Sequence, residues 1–244
     1  MKYAIIAAGE GSRLANEGIE APKPLVEVNG EKLIDRLIRI FMDNDAEEIV
    51  VICNDKTALV SQHLNSIQED GLKGRRVPLR YVVKSTPSSM HSLYEISRYL
   101  EGAPFCLTTV DTIFQEKEFQ NYIMALEDAM ETYAADGLMA VTDYIDDEKP
   151  LYISTDGKLQ ITGFHDEDRN CKYISGGIYG LSPKALDTLR RCIERGESRM
   201  RNFQRALISD GMRLEAFPFS KILDIDHKGD IDKANKELTA QKQA

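Results

Sequence analysis

The 244-residue chain predicts an α/β fold of three layers, α/β/α, built on a mostly parallel central sheet with an inserted β-hairpin. Two observations predict it. Short apolar runs of strand length alternate with segments whose apolar residues recur at helical spacing, the pattern of a sheet covered by helices on both faces. The alternation breaks once, near residues 151–164, where Asp156-Gly157 separates two short strand-like runs.

The elements follow in order. Tyr3 to Ala8 is an unbroken apolar run and reads as a buried strand emptying into Gly9. Leu33, Ile34, Leu37, Ile38, Phe41 and Met42 mark one face of a helix. Glu48 to Cys53 is a second buried strand, and Thr57 to Asn65 a helix. Leu79 to Val83 is the third strand, and Ser92 to Leu100 a helix. Phe105 to Val110 is the next strand and ends at Asp111. Phe119, Tyr122, Ile123, Leu126 and Met130 form the apolar stripe of a long amphipathic helix. Gly137 to Val141 is another strand. Leu151–Ser154 and Leu159–Phe164 are the hairpin strands. Ile174 to Leu181 returns to the sheet. Ser182-Pro183 reads as an N-cap serine and an N1 proline. Helices near 183–195 and 199–210, a strand near 214–218 and a last helix after Asp230 complete the order. The polar tail, 236–244, is expected to fray.

A hydrophobic content of 42% suffices for a substantial core. The net charge of −9 argues against nucleic-acid and anionic-membrane partners, which select a basic surface. A polyanionic ligand must then be met by a local cationic pocket. No run approaches 18 apolar residues, so no membrane span is expected, and the short N-terminal run does not read as a signal peptide. Cys53, Cys106, Cys171 and Cys192 share no metal-type spacing and read as reduced thiols of a cytoplasmic protein. His63, His91, His165 and His227 are scattered, which argues against a histidine metal site.

The first strand leads into Gly9-Glu10-Gly11-Ser12-Arg13. Glycines permit positive φ and let backbone N–H groups approach a ligand. Arg13 adds a permanent charge, and Lys23 a second one. In Pro22-Lys23-Pro24-Leu25 the prolines fix φ on both sides of the lysine and stiffen its loop. A strand end, a glycine loop and two cations together suggest a polyphosphate site. A dinucleotide fingerprint is excluded because Leu14 stands where its third glycine would be, and no Gly-Lys-Ser/Thr follows to make a P-loop.

Gly9-x-Gly11-x-Arg13, Pro22-Lys23-Pro24-Leu25, Val28-x-Gly30 and Leu33-Ile34 together resemble the nucleotidyltransferase superfamily, whose members make NDP-sugars, CDP-alcohols and the molybdopterin dinucleotide. The resemblance implies a Rossmann-like fold and one nucleotidyltransferase domain over 1–244. Residues 1–113 would be the nucleotide-binding half, and 114–235 the acceptor-binding half. It implies that Arg13 meets the β- and γ-phosphates of an NTP and Lys23 the α-phosphate, both as catalytic residues. Ala7, Ala8, Gly9, Gly11 and Ser12 would line the nucleotide.

Asp111, at the carboxyl end of an apolar strand, stands where open α/β sheets bind ligands and where a carboxylate can hold Mg²⁺ over a triphosphate. Asp224 and Asp226 in Leu223-Asp224-Ile225-Asp226-His227 share one side of an extended segment. The resemblance implies a second Mg²⁺ ligand there, with Asp226 preferred to Asp224. Lys84 and Ser89, within Lys84-Ser-Thr-Pro87-Ser-Ser89-Met-His-Ser92-Leu93, resemble a base-reading loop of the cytidylyltransferase branch. Gly176 and Gly177, with Arg195 and Lys221, are the candidates for acceptor binding. Lys149 precedes the hairpin rather than following it and is not expected to touch substrate.

The expected activity is Mg²⁺-dependent transfer of a nucleotidyl group from an NTP, CTP favoured, to a small phosphorylated alcohol, with release of pyrophosphate. A sugar-1-phosphate nucleotidyltransferase is the rival within the class. A catalytically silent nucleotide-binding regulator is the rival from outside it. The oligomeric state is open, a homo-oligomer included.

Overall fold

A computed structural model describes residues 1–132 and 135–241. The strands are β1 (Lys2–Ala7), β2 (Glu27–Val28), β3 (Glu31–Lys32), β4 (Glu48–Cys53), β5 (Leu79–Val83), β6 (Phe105–Thr109), β7 (Thr112–Phe114), β8 (Gly137–Thr142), β9 (Tyr152–Thr155), β10 (Ile161–His165), β11 (Tyr173–Leu181), β12 (Leu214–Phe219) and β13 (Ile222–Asp224). The helices are α1 (Ser12–Asn16), α2 (Leu33–Asp43), α3 (Ala58–Asp70), α4 (Ser89–Ile96), α5 (Glu116–Glu131), α6 (Ala185–Glu194), α7 (Met200–Ser209) and α8 (Lys228–Gln241).

β5, β4, β1 and β6 lie side by side and parallel, with Ile5 between Val51 and Thr108. β11 runs antiparallel against β6 and also pairs with β8, which carries β12 in parallel. The β9–β10 hairpin joins the beginning of β11. Alternation along β1 sends Tyr3, Ile5 and Ala7 into one core and Ala4 and Ile6 into the other. The first core packs the sheet against α2, α3, α5 and α8, through Ile34, Phe41, Leu64, Phe119 and Ala234. The second packs it against α4, α6 and α7, through Leu93, Leu189 and Phe203. These are the expected three layers, and β1 sits centrally, so the loop after it opens at the middle of the sheet's carboxyl edge.

Three local expectations are corrected. The Asp156-Gly157 turn is not a two-residue hairpin turn. The Asp156 carboxylate accepts from the N–H groups of Lys158 and Gln160, at 2.8 and 2.9 Å, and Leu159 rather than Gly157 takes positive φ (65°). Ser182 does not cap α6 with its side chain: Lys184 precedes the helix, and the Ser182 hydroxyl has no partner. Its backbone carbonyl accepts from Ala185 N–H instead, in a turn that begins at Pro183. The last helix starts at Lys228, before Asp230, whose carboxylate reaches back to the N–H groups of Asp226 and His227 at 3.2 and 2.8 Å. Of the tail expected to fray, residues 236–241 belong to α8, and 242–244 lie outside the described residues. Among the described residues no helix is long and apolar enough to cross a membrane.

Candidate active site

The carboxyl ends of β1 and β6 bring the site together. After β1 the chain turns through Ala8, Gly9 and Glu10 to Gly11, whose φ of 62° sets the start of α1. A Cβ on Gly11 would stand 3.0 Å from the Lys23 Cβ, so the two segments close on each other at that point. Asn54, just past β4, donates to the Gly9 carbonyl at 3.0 Å and fixes the loop from the neighbouring strand.

Lys23 begins a turn of 3₁₀ geometry between its two prolines, with Leu25 N–H bonded to the Pro22 carbonyl at 2.7 Å. Its ammonium lies 2.5 Å from Asp111 Oδ2 and 2.8 Å from Asp226 Oδ1. Burial by itself would lower the Lys23 pKa, but the two carboxylates outweigh it and raise it. Arg13 Nη1 holds the other Asp226 oxygen at 2.8 Å. Burial would raise the Asp226 pKa, but its bonds and attraction to Lys23 and Arg13 bring it down.

Asp224 and Asp226 reach Asp111 because β13 pairs antiparallel with β7, placing Asp224 opposite Thr112. Ile225 N–H then bonds the Asp111 carbonyl at 3.1 Å. Asp224 opens onto the cleft but is crowded by protein from behind. Loss of water and the negative charge of Asp111 push its carboxyl up to about 8. At the other side of this segment, Glu17 at the end of α1 accepts from Lys228 N–H at 2.7 Å and meets His227 Nδ1 at 2.6 Å.

Two cavities meet at this cluster. The first, about 330 Å³, lies over Ala7, Ala8, Gly9 and Ser89 and reaches Lys23 and Asp111. Thr86, Ser88 and Thr109 also line it. The second, about 370 Å³, is lined by Arg13, Asp224, Asp226, Gly176 and Tyr144, with Asp146, Asp147, Glu148 and His227 among its acidic and polar walls. Gly176 and Gly177 lie where the pairing of β11 with β8 shifts register between Ser175 and Tyr179. A Cβ on Gly176 would collide with Ile222, and Gly177, at φ 72°, packs against Thr109 and Thr112.

The expected residues divide accordingly. Ala7, Ala8, Gly9, Lys23, Ser89 and Asp111 share one cavity, and Arg13, Gly176, Asp224 and Asp226 the other. Gly11, Ser12, Lys84, Gly177, Arg195 and Lys221 line neither. Lys84 turns to Glu95 at 2.7 Å on the exposed edge of β5. Arg195 follows α6 and pairs with Glu197 at 2.7 Å. Lys221 pairs with Glu237 at 3.0 Å and lies 4.5 Å from the Tyr144 ring, behind the cavity wall. Lys149 lies on an exposed loop and lines neither cavity. Asn54, Thr86, Ser88, Thr109 and Tyr144 were not singled out in the sequence. Asn54 follows β4 and Thr109 ends β6 at the carboxyl edge of the sheet, and that position was their available signal.

The donor set suits a hard cation: the carboxylate oxygens of Asp111 and Asp224. Among the described residues no group of three or more His, Cys, Asp or Glu side chains is assembled to hold a metal by itself. Two carboxylates supplemented by substrate phosphates are what a magnesium site needs.

Residues 2–241 match the nucleotidyl transferase family. The chain is 25% identical to a UTP–glucose-1-phosphate uridylyltransferase of Haloferax volcanii over 98% of its own length and 96% of that protein's. It is 26% identical to a bifunctional IPC transferase and DIPP synthase of Aquifex aeolicus over 96% of its length, spanning about half (51%) of that longer protein. In fold it resembles an inositol-1-phosphate CTP transferase from T. maritima, with a TM-score of 0.79 at 19% identity and coverage of 100% and 96% of the two chains. A putative glucose-1-phosphate thymidylyltransferase from Bacillus anthracis superposes with a TM-score of 0.80 at 20% identity, over 97% of this chain and 94% of that one. With the glycines of the loop after β1, Arg13 and Lys23 gathered at one sheet edge, and a family match over nearly the whole chain, this protein belongs to the nucleotidyl transferase family and is an enzyme of that class.

Proposed function

We propose that the enzyme transfers a nucleotidyl group from an NTP, CTP by preference, to a small phosphorylated polyol or alcohol. The observation that carries this reading is the position of Lys23. Its ammonium contacts Asp111 in one cavity and Asp226 in the other, at the boundary where an α-phosphate and an attacking acceptor phosphate would meet. An acceptor phosphate oxygen forms the new bond to the α-phosphorus. The bond to the bridging oxygen breaks, and its electron pair leaves with pyrophosphate. A phosphate dianion is already nucleophilic near neutral pH, so no side chain has to take a proton. Lys23 and Arg13 then act by position and charge, and the loop after β1 offers backbone N–H groups to the phosphates.

Asp111 and Asp224 are the pair we assign to magnesium, because Asp226 is already held by both cations. Magnesium held by these two carboxylates would supply positive charge to offset that of the phosphates. The second cavity is rich in carboxylates, which disfavours a polyanionic acceptor body and accepts hydroxyl hydrogen bonds. The likeness to proteins named for IPC and inositol-1-phosphate transfer supports the polyol. The full-length relative named for glucose-1-phosphate supports UTP with a sugar-1-phosphate as the second reading.

The test is pyrophosphate release with Mg²⁺, four NTPs and a panel of phosphorylated polyols, alcohols and hexose-1-phosphates. CTP with a polyol phosphate is expected to turn over fastest. Preference for UTP or dTTP with a hexose-1-phosphate transfers the assignment to the second reading. Release with no combination overturns both.

A further inference from the structure

The cavity over Ala7, Ala8 and Gly9 runs between two groups of polar side chains. Lys23 and Asp111 belong to one. Thr86, Ser88, Ser89 and Ser92, from the loop after β5 and the first turn of α4, belong to the other. Asp111 follows β6 and Thr86 follows β5, with β1 and β4 between them. The two strand ends therefore stand three strand spacings apart, roughly 14 Å. A nucleotide whose α-phosphate meets Lys23 directs its base toward the Thr86 end.

The hydroxyl groups at that end have fixed directions. Thr86 Oγ1 lies 3.2 Å from the Ser88 carbonyl and 2.6 Å from Ser92 Oγ. A carbonyl oxygen only accepts, so the single Thr86 hydrogen goes to it. Ser92 is 1% exposed, and its hydroxyl has no other partner among the described residues. It must be the donor to Thr86, since the reverse would leave its own hydrogen buried and unbonded. Thr86 then keeps one lone pair, and no hydrogen, for a ligand.

Ser88 is spent in a different way. Its hydroxyl oxygen accepts from the N–H groups of Arg199 and His91, at 3.3 and 3.5 Å. With both lone pairs taken, its hydrogen goes to His91 Nδ1 at 2.9 Å. Ser88 thus has nothing left to offer a base, and Thr86 offers an acceptor.

Cytosine carries an exocyclic amino donor where uracil carries an oxygen acceptor. An amino group can give a hydrogen to the free lone pair of Thr86 without disturbing its other bonds. A uracil oxygen would face that lone pair, and could be bonded only by taking the Thr86 hydrogen from the Ser88 carbonyl. We propose that Thr86, oriented by the buried Ser92, is the residue that selects cytosine over uracil, by accepting from the exocyclic amino group of the base. The role belongs to the CTP-dependent transfer proposed above and rests on that reading.

The test is equilibrium binding of CTP and UTP with Mg²⁺ and no acceptor, followed by calorimetry, so that no turnover is needed. The parent enzyme should bind CTP about tenfold more tightly than UTP, the worth of one hydrogen bond. Thr86→Val keeps the shape of the side chain and removes the hydroxyl. It should weaken CTP about tenfold and bring the two affinities together, with the melting temperature reporting that the fold is kept. Thr86→Ser should restore the preference. The proposal is overturned if the parent binds UTP as tightly as CTP or more so, or if Thr86→Val keeps the parent's ratio. Failure of the functional reading looks different: pyrophosphate release would be absent with every acceptor while the binding ratio and its response to Thr86→Val persisted.

Discussion

The Lys23 ammonium lies 2.5 Å from the Asp111 carboxylate, joining the proline-clamped turn after β1 to the end of β6. The same ammonium meets Asp226 at 2.8 Å, so its charge is held in place before any substrate arrives. Burial alone would favour loss of that charge, and the carboxylates reverse the balance.

Lys23→Ala should slow turnover by roughly a hundredfold or more, the cost of losing a preorganised charge at the reacting phosphate. Pyrophosphate release measures the rate, and circular dichroism confirms that the fold is kept. Near-normal turnover would remove Lys23 from the chemistry.

The two acidic candidates separate by magnesium titration. Asp111→Asn and Asp224→Asn should each raise the half-saturating Mg²⁺ concentration by roughly tenfold or more. Asp226→Asn should leave that value near the parent's and weaken NTP binding, because Arg13 and Lys23 lose the carboxylate that aims them. The opposite pattern restores Asp226 as the metal ligand.

Gly11→Ala should lower stability by about 1 kcal/mol, since φ is 62° and the new Cβ would press on Lys23. Gly9 has open space where a Cβ would go, so Gly9→Ala should keep its stability. Urea denaturation of both variants measures the difference. Equal midpoints would show that the Gly11 conformation carries no strain.

Glu31 supplies a pH dependence. Burial opposes its ionisation, but its bonds to Arg39 and Lys73 and their charges prevail and bring its pKa from 4.5 to about 2. The folded state then binds this proton more weakly than the unfolded chain. The stabilisation is complete above about 4.5 and is lost as pH falls through about 2. Glu31→Gln should cost about 2 kcal/mol at pH 7, and variant and parent should converge near the acid end. Urea midpoints at neutral pH and at successively lower pH follow this. A difference that stays constant with pH would trace the loss to packing instead.

Lys149→Ala and Arg195→Ala should each change the acceptor KM by less than about threefold, because neither side chain lines a cavity of the cleft. Steady-state kinetics with the acceptor found by the panel gives both values. A large rise in KM for either would extend the acceptor site onto that surface.

The amino-acid sequence by itself determined the alternation of strands and helices, the hairpin's place, the glycine loop, and the positions of Lys23 on its proline-clamped turn and Asp111 at a strand end. These are local properties: periodicity, the φ limits of glycine and proline, and a carboxylate at a strand end act along the chain and can be read along it. Only the tertiary structure decided where Asp224 and Asp226 lie and what they contact. Their position depends on β13 pairing with β7, two three-residue strands too short to show a period. The same holds for Asn54 bracing Gly9 across neighbouring strands, and for Lys84, Arg195 and Lys221 turning to local carboxylates rather than to the cleft. A cation in a sequence looks the same whether it faces a ligand or a glutamate beside it. Arg36 shows this most sharply: it sits on an ordinary amphipathic helix, and its burial against the Phe114 carbonyl and ring follows only from how the chain folds.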